Sequence, residues 1–473
     1  MDLATASLRE SFAAGLPAPL LQAARARLDA EGVEPGAIVA WLSHNTWDML
    51  AALAECERRG AVLLPLNWRL AVPELARLCV HAGAGHLLHG PELAEAGGAL
   101  QRAVAVTPGP AAGIEPGDLL LVYTSGTTGE PKGALHTAAG MRANRAAAIE
   151  AQGFDAATRV LSVLPLFHVG GLCIQTLPVL AAGGTLELHP RFDPDAWFDA
   201  VERAGPWAAG AEGAVGAAGV RPTTTLLVPA VMRALIEHPR WPGADLSSLA
   251  FVNSGSQIVP RALIDAFHAR GVPVAQVYGS TETGPVSVVL RPADALARAG
   301  HAGWPARGVQ LRLGADDGPQ GEVWLKAPQL LRTYHRSADP AFDADGWFRT
   351  GDLARRDADG CIEIVGRSKE LIISGGENIH PAEIEQLAAT RPEVADCAVV
   401  GVPEPRWGEV PVLAVVLRPG AALDAAALQA RFDAALARFK HPRRIVAVDA
   451  LPRTALGKVQ RAVLAAALAG GAP

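Results

Sequence analysis

The sequence is poor in cysteine, in clustered positive charge and in long apolar runs, and each scarcity removes a class of protein. Its five cysteines, Cys56, Cys79, Cys173, Cys361 and Cys397, are scattered without a CxxC pair. Neither a disulfide framework nor a zinc site is therefore expected, and the thiols read as reduced, cytosolic ones. Forty-two basic residues against 48 acidic ones leave a formal net charge of −6, with no polybasic tract, so nucleic acid is not an expected partner. No uninterrupted apolar stretch reaches the roughly 20 residues that cross a bilayer. Met1 to Gly15 mixes acids with an arginine instead of placing a charged start before an apolar core, so no signal peptide is expected. These absences together predict a soluble cytoplasmic protein; a homodimer is an assembly the sequence leaves open.

What is present centres on Leu119 to Gly133, LLLVYTSGTTGEPKG. Leu119 to Tyr123 read as a buried strand, and a run of small hydroxyl and glycine residues follows, closed by Pro131, Lys132 and Gly133. Such a run suits phosphate: Gly126, Gly129 and Gly133 let the backbone approach an anion, Thr124, Ser125, Thr127 and Thr128 add hydroxyl donors, and Lys132 adds a positive charge. A Walker-type NTPase is disfavoured, because Lys132 is followed by Gly133 and Ala134 and no hydroxyl is left to hold Mg²⁺. A solvated Gly/Ser/Thr linker would not explain the apolar strand that runs into it.

A chain of 473 residues exceeds one hydrophobic core. Strand and helix alternate from Ala37 onwards: Ala37 to Leu42, Asn45 to Arg59, Val62 to Leu66, Val72 to Ala82. This suggests an α/β unit with a parallel sheet, in which Trp41, Trp47 and Trp68 are packing aromatics. Met141 to Gln152 is a predicted helix. Val160 to Leu164 is a predicted strand delivering Pro165 to His168 to a sheet edge, where ligands bind in open α/β sheets. Ala208 to Val220 is an Ala/Gly-rich tract read as a surface loop. Thr223 to Val228, Leu249 to Asn253 and Val274 to Tyr278 are further strands whose C-terminal ends can converge on one cleft. Beyond Gly284 shorter alternating strands suggest a β-rich subdomain, and from Arg367 a segment of about 107 residues has the length of a small domain.

Five more blocks follow the phosphate-type loop in order: PLFHVGG (Pro165 to Gly171), YGSTETG (Tyr278 to Gly284), GWFRTGD (Gly346 to Asp352), GRSKELIISGGENIHPAEIE (Gly366 to Glu385) and PRTALGKVQR (Pro452 to Arg461). On these six blocks the sequence resembles the adenylate-forming (AMP-binding) superfamily, in its acyl-CoA synthetase branch of fatty-acid or aryl acid–CoA ligases. The resemblance implies an α/β fold: a large N-terminal adenylation domain, residues 1–366, with parallel-rich sheets and a β-rich subdomain, then a small mobile α+β domain, 367–473, with a hinge near Lys369. It implies that ATP adenylates a carboxylic acid with release of pyrophosphate, and that the CoA thiol then displaces AMP. ATP, Mg²⁺ and coenzyme A are the implied cofactors.

By the same resemblance, Thr124 to Lys132 would hold the β- and γ-phosphates, Thr281 the α-phosphate and Glu282 the Mg²⁺. Tyr278 and Gly279 would stand at the adenine, opposed by Ser254, Gly255 and Ser256. Asp352 would accept the ribose hydroxyls with Arg367 beside it, and Lys458 would enter the cleft for adenylation. His168 would gate the acyl pocket, Gly375, Gly376 and Glu377 would line a pantetheine tunnel, and Trp407 would stack on the CoA adenine, with Lys440 or Arg443 at its phosphates. Each has a plainer alternative: Asp352 as turn chemistry, Tyr278 as a core aromatic, Arg367 as a surface ion pair, Lys458 as a solvated lysine, His168 and Trp407 as packing. The expected acyl pocket, from His168 to Gly171, Thr225 to Pro229, Ser254 to Ile258 and Gln276 to Val288, has no Arg or Lys. A monocarboxylate, aliphatic or aromatic, therefore suits it better than a dicarboxylate such as malonate. The alternatives are transfer to a carrier-protein phosphopantetheine, a non-catalytic nucleotide-binding protein, and an ATPase releasing ADP and phosphate.

Overall fold

Local chemistry fixes many element ends. In the helix Trp47–Arg59, the Thr46 side chain accepts a hydrogen bond from the Met49 N–H, Asp48 lies in the first turn, Arg58 and Arg59 lie in the last, and Gly60 closes it. Its whole inner face, including Leu50 and Leu53, is removed from water. The structure, a computed structural model, describes residues 7, 16–124, 132–202, 221–338, 340–374, 377–405, 407–436, 438–454 and 457–469, with the backbone alone for 369, 377 and 378. The Ala208 to Val220 tract and the loop residues Ser125 to Pro131 lie outside the described residues.

Four sheets organise the described chain. The first has six strands in the order Thr333–His335, Lys132–Thr137, Asp118–Thr124, Val62–Pro65, Ile38–Leu42, His86–His89. Its far half is parallel, whereas Asp118–Thr124 and Lys132–Thr137 form an antiparallel hairpin. By sequence Lys132 and Gly133 stand at the close of the glycine and hydroxyl run; in the structure both belong to a strand. Lys132 begins a strand in register with Thr124, so the two strands that flank the phosphate-type segment pair directly. Six residues with Ala134, Leu135 and His136 all buried carry no two-residue alternation, so only pairing in the sheet identifies the strand.

The second sheet runs Trp304–Pro305, Val288–Val289, Val274–Tyr278, Phe251–Gly255, Thr224–Leu227, Arg159–Ser162, Thr185–Leu188. Its last five strands are parallel. Trp197, Phe198 and Phe267, all fully buried, fill the layer beside it. The parallel order sends the ends of Phe251–Gly255 and Val274–Tyr278 to the same edge, where loops carry Ser256 and Gly279.

The third sheet, Gln310–Leu313, Gln320–Lys326, Phe348–Arg356 and Ile362–Arg367, is wholly antiparallel. The fourth joins Glu377–Ile379, Ile372–Ser374, Gly408–Leu417 and Val394–Glu404, with Arg444–Ala447 parallel to Gly408–Leu417. Ion pairs join the last segment to the rest: Arg418 to Glu237 at 3.0 Å, Arg355 to Glu383 at 2.9 Å and Arg233 to Asp396 at 3.7 Å. All five cysteines are free thiols, and four are buried. Among the described residues no helix is long and apolar enough to cross a membrane.

Candidate active site

Asp352 lies where three elements meet. Tyr278, at the end of Val274–Tyr278, donates its hydroxyl to Asp352 Oδ2 at 2.8 Å, and Arg367 Nε contacts Asp352 Oδ1 at 2.8 Å. The TGD segment is not the free turn expected from its composition. Asp352 belongs to the strand Phe348–Arg356 and stands opposite Arg367 in register. The turn-like character comes from a bulge: Glu322 pairs with Leu353 and Trp324 with Arg349, so Thr350, Gly351 and Asp352 together oppose Val323. Gly351 takes the left-handed φ of 73° that such a bulge needs.

Asp352 is 6% exposed. Burial raises its carboxyl above the usual aspartate range, against the pull of Arg367, Tyr278 and Lys458. Burial and the neighbouring Asp352 charge push the Tyr278 hydroxyl well up, so it stays a neutral donor. Desolvation works against the Arg367 charge, but Asp352 and Glu370 outweigh it and the guanidinium is held more firmly protonated.

Lys458 reaches this cluster from the far end of the chain. Its side chain keeps an exposed face. The surrounding protein and the Arg367 charge nevertheless hold its ammonium below the usual lysine range, with Asp352, Glu370 and Glu282 acting the other way. The loop is shaped by a hydrogen bond from Thr454 N–H to the Lys458 carbonyl at 2.8 Å, and a Cβ on Gly457 would come within 4.0 Å of Ala230.

Thr281 and Glu282 occupy a single helical turn, with the Ser280 N–H donating to Thr283 Oγ1 at 2.8 Å. Tyr334 donates to Glu282 Oε1 at 3.3 Å, and the Lys132 ammonium lies 5.2 Å from the centre of the Tyr334 ring. Tyr334 thus links the root of the phosphate-type hairpin to Glu282. Gly279 has a packing reason: a Cβ there would run into the Pro285 carbonyl oxygen. Ser254 is fully buried and turns its hydroxyl toward the Met232 sulfur at 3.3 Å, leaving only its backbone for a ligand wall. Ser256 lies beside Gly170, where a Cβ would come within 3.8 Å of Ser256 Oγ. This places the start of the helical segment after His168 next to the Ser254–Ser256 edge.

His168 Nε2 is buried without a hydrogen-bond partner, and the ring centre is 4.4 Å from that of Phe167. Burial, with a smaller contribution from the Arg69 charge, pushes its imidazole down to about 3, so it is neutral at working pH. Trp407 stands at the turn between Val394–Glu404 and Gly408–Leu417, 36% exposed, with the Arg443 guanidinium 5.8 Å from its ring. Lys440 instead pairs with Glu383 at 2.6 Å. The residues Ser125, Gly126, Thr127, Thr128, Gly129, Gly375 and Gly376 and the side chain of Glu377 lie outside what the structure describes.

Residues 20–335 match the family described as AMP-binding enzyme, and residues 383–458 match its C-terminal domain. The chain belongs to the AMP-binding enzyme family. It is 42% identical to the indoleacetate–CoA ligase of Aromatoleum aromaticum, over 94% of this chain and 91% of that one. It is 39% identical to a feruloyl-CoA synthase of an Amycolatopsis species, over 91% and 89%. Among solved structures, ATP-bound MatB from Rhodopseudomonas palustris superposes with a TM-score of 0.82 at 27% identity, covering 98% of this chain and 93% of that one.

Two side chains of this AMP-binding enzyme escape a reading by motif. Arg69, outside the segments named for the acyl pocket, holds its guanidinium 5.1 Å from the Trp68 ring and 5.9 Å from the Phe167 ring. Its charge reaches His168. Only the cation after a Trp at a strand end hinted at it. His136, 3% exposed, meets the Thr281 backbone from the hairpin strand. Burial pushes its imidazole from 6.5 down to about 4. The unfolded chain therefore takes up a proton below pH 6.5 that the native state refuses until about 4. The stability His136 contributes is complete above 6.5 and is lost as pH falls through that window. From pH 6.5 to 5 the loss should be roughly 2 kcal/mol, and His136→Asn should flatten the slope by about one proton. Chemical denaturation at pH 7 and pH 5 checks this; an unchanged slope in the variant would refute it.

Proposed function

We propose that the protein is an AMP-forming acid–CoA ligase whose substrate is a monocarboxylic acid, aromatic in preference to aliphatic. The observation that carries the proposal is Asp352 held by Tyr278 and Arg367, with Lys458 near enough for its charge to be felt there. A buried carboxylate flanked by a neutral aromatic and two cations suits a nucleoside whose ribose donates hydroxyl protons and whose α-phosphate gathers charge. The two relatives whose names denote arylacetate and arylpropenoate acids support the aromatic preference.

In this reading a carboxylate oxygen attacks the α-phosphorus of ATP, the bond to the β-bridging oxygen breaks, and pyrophosphate leaves. The thiolate of CoA then attacks the acyl carbon and AMP departs with the C–O bonding pair. The protein's part is positioning and charge. Thr281 and Lys458 stabilise the α-phosphoryl oxygens, Thr124 to Lys132 hold the β- and γ-phosphates, and the backbone of Ser254–Ser256 walls the adenine against Tyr278. Neutral His168 borders the acyl group without competing for its charge.

Among the described residues no three His, Cys, Asp or Glu side chains cluster as a metal cage. A single carboxylate, Glu282, suits Mg²⁺, which commonly takes one or two protein carboxylates plus substrate phosphates and water. Bound there, it would neutralise phosphate charge.

For the second step, the segment from Arg367 is proposed to turn about Lys369, bringing Gly375 and Gly376 to the pantetheine. Trp407 would stack on the CoA adenine, with Arg443 at its phosphates and exposed Phe439 beside them. The sequence also offers pantetheine on a carrier protein as an acceptor.

The test is pyrophosphate and AMP release by the purified protein over arylacetates, arylpropenoates, fatty acids of graded length and malonate, with CoA or a pantetheine-loaded carrier as acceptor. Acid-dependent AMP, greatest with an aryl acid and CoA, is expected. ADP release, or no dependence on any acid, would sink the proposal.

A further inference from the structure

Glu322 is not among the residues any motif block marks, yet its carboxylate is aimed at the backbone that carries Asp352. The side chain is 17% exposed, on the strand Gln320–Lys326. Oε2 accepts from Trp324 Nε1 at 2.9 Å and from Arg349 Nη2 at 2.7 Å and Nε at 3.1 Å. Those donors are themselves braced, since the Arg349 and Arg312 guanidiniums lie 4.8 Å and 4.3 Å from the Trp324 ring. With Oε2 pinned, Oε1 points at the bulge and accepts the Gly351 N–H at 3.1 Å.

Gly351 is the left-handed residue immediately before Asp352. Its carbonyl accepts the Ser368 hydroxyl at 3.1 Å, the Thr350 hydroxyl donates to the Val323 carbonyl at 2.8 Å, and the Asp352 N–H donates to Thr350 Oγ1 at 3.0 Å. A bulge removes ladder hydrogen bonds, so the three residues Thr350 to Asp352 need other partners to keep one conformation. On the third sheet Glu322 supplies the charged one, and a charged acceptor is the strongest available to a backbone N–H.

We infer that Glu322 is a positioning residue for nucleotide recognition: by clamping the Gly351 N–H it fixes the direction in which Asp352 presents its carboxylate to the ribose. The inference rests on the reading of Asp352 as the ribose acceptor. It predicts an effect confined to the sugar. The Glu322 carboxylate is occupied by Trp324, Arg349 and the Gly351 N–H, so its loss should weaken discrimination between ATP and 2′-deoxyATP and leave the KM for the acid unchanged.

The experiment measures kcat/KM by pyrophosphate release with ATP and with 2′-deoxyATP, for the wild type, Glu322→Ala, Glu322→Gln and Asp352→Asn. Glu322→Ala should lower the ATP/2′-deoxyATP ratio roughly tenfold, the usual size of a lost charged hydrogen bond. Glu322→Gln keeps one acceptor but sets its amide against the Trp324 and Arg349 donors, so a drop of about threefold is expected. That variant preserves volume and carries the test alone if the alanine variant does not fold. A wild-type ratio in the Glu322 variants alongside a lowered ratio in Asp352→Asn overturns the inference and leaves the ribose reading standing. So does a parallel rise in KM for acid and ATP. An unchanged ratio in Asp352→Asn overturns the ribose reading itself.

Discussion

Lys458→Ala is expected to reduce acyl-adenylate formation by roughly a thousandfold or more, while conversion of supplied acyl-AMP and CoA to the thioester persists near the wild-type rate. The asymmetry follows from position. Lys458 lies on a loop of the last segment, and its charge is felt by Asp352 in the arrangement described. Desolvation and Arg367 both lower its proton affinity, so the ammonium gains most when negative charge builds on the α-phosphoryl oxygens. In the thioester step the departing AMP also gathers charge on its phosphate, but the proposed turn about Lys369 would by then have carried Lys458 away from it. Two assays separate the steps: pyrophosphate release for the first, and thiol consumption from synthetic acyl-AMP for the second. Equal loss in both would contradict the role given to Lys458.

Glu282→Gln should lower kcat/KM for ATP by roughly a hundredfold and move the midpoint of the Mg²⁺ dependence upward, with little change in thermal stability. The carboxylate has one modest hydrogen bond in the described structure, from Tyr334 at 3.3 Å, so the fold loses little when its charge is removed. The same charge acts on both Lys458 and Arg367. An amide would leave those two cations less balanced and offer the metal only a neutral oxygen. Activity measured across a Mg²⁺ titration distinguishes the outcomes. An unchanged midpoint with reduced activity would mean that Glu282 shapes the cation cluster without holding the metal.

Much of the fold was legible because its elements carry strong local signals. The helix Val72–Ala82 and the strand Val274–Tyr278 have the ends their patterns predict, the first from Pro73 and Gly83, the second from an apolar run cut off by Gly279. Where the reading failed, pairing outweighed composition. Lys132–Thr137 is too short and too uniformly buried to announce itself. Thr350–Asp352 look like a turn because they are a bulge, and a bulge is recognised only against the strand it faces.

The sequence alone determined the order of the blocks, and with it the family, because glycines, hydroxyls and charged groups at fixed intervals reflect backbone chemistry that any fold of this chain must satisfy. The motif blocks already implied that Tyr278, Asp352, Arg367 and Lys458 serve one nucleotide; tertiary structure decided the contacts that join them, that Arg69 and His136 adjoin His168 and Thr281, and that Glu322 aims at Gly351. The physical reason is separation along the chain. Local propensity acts over a few residues, whereas these contacts join segments tens to hundreds of positions apart, which only sheet register and burial bring together.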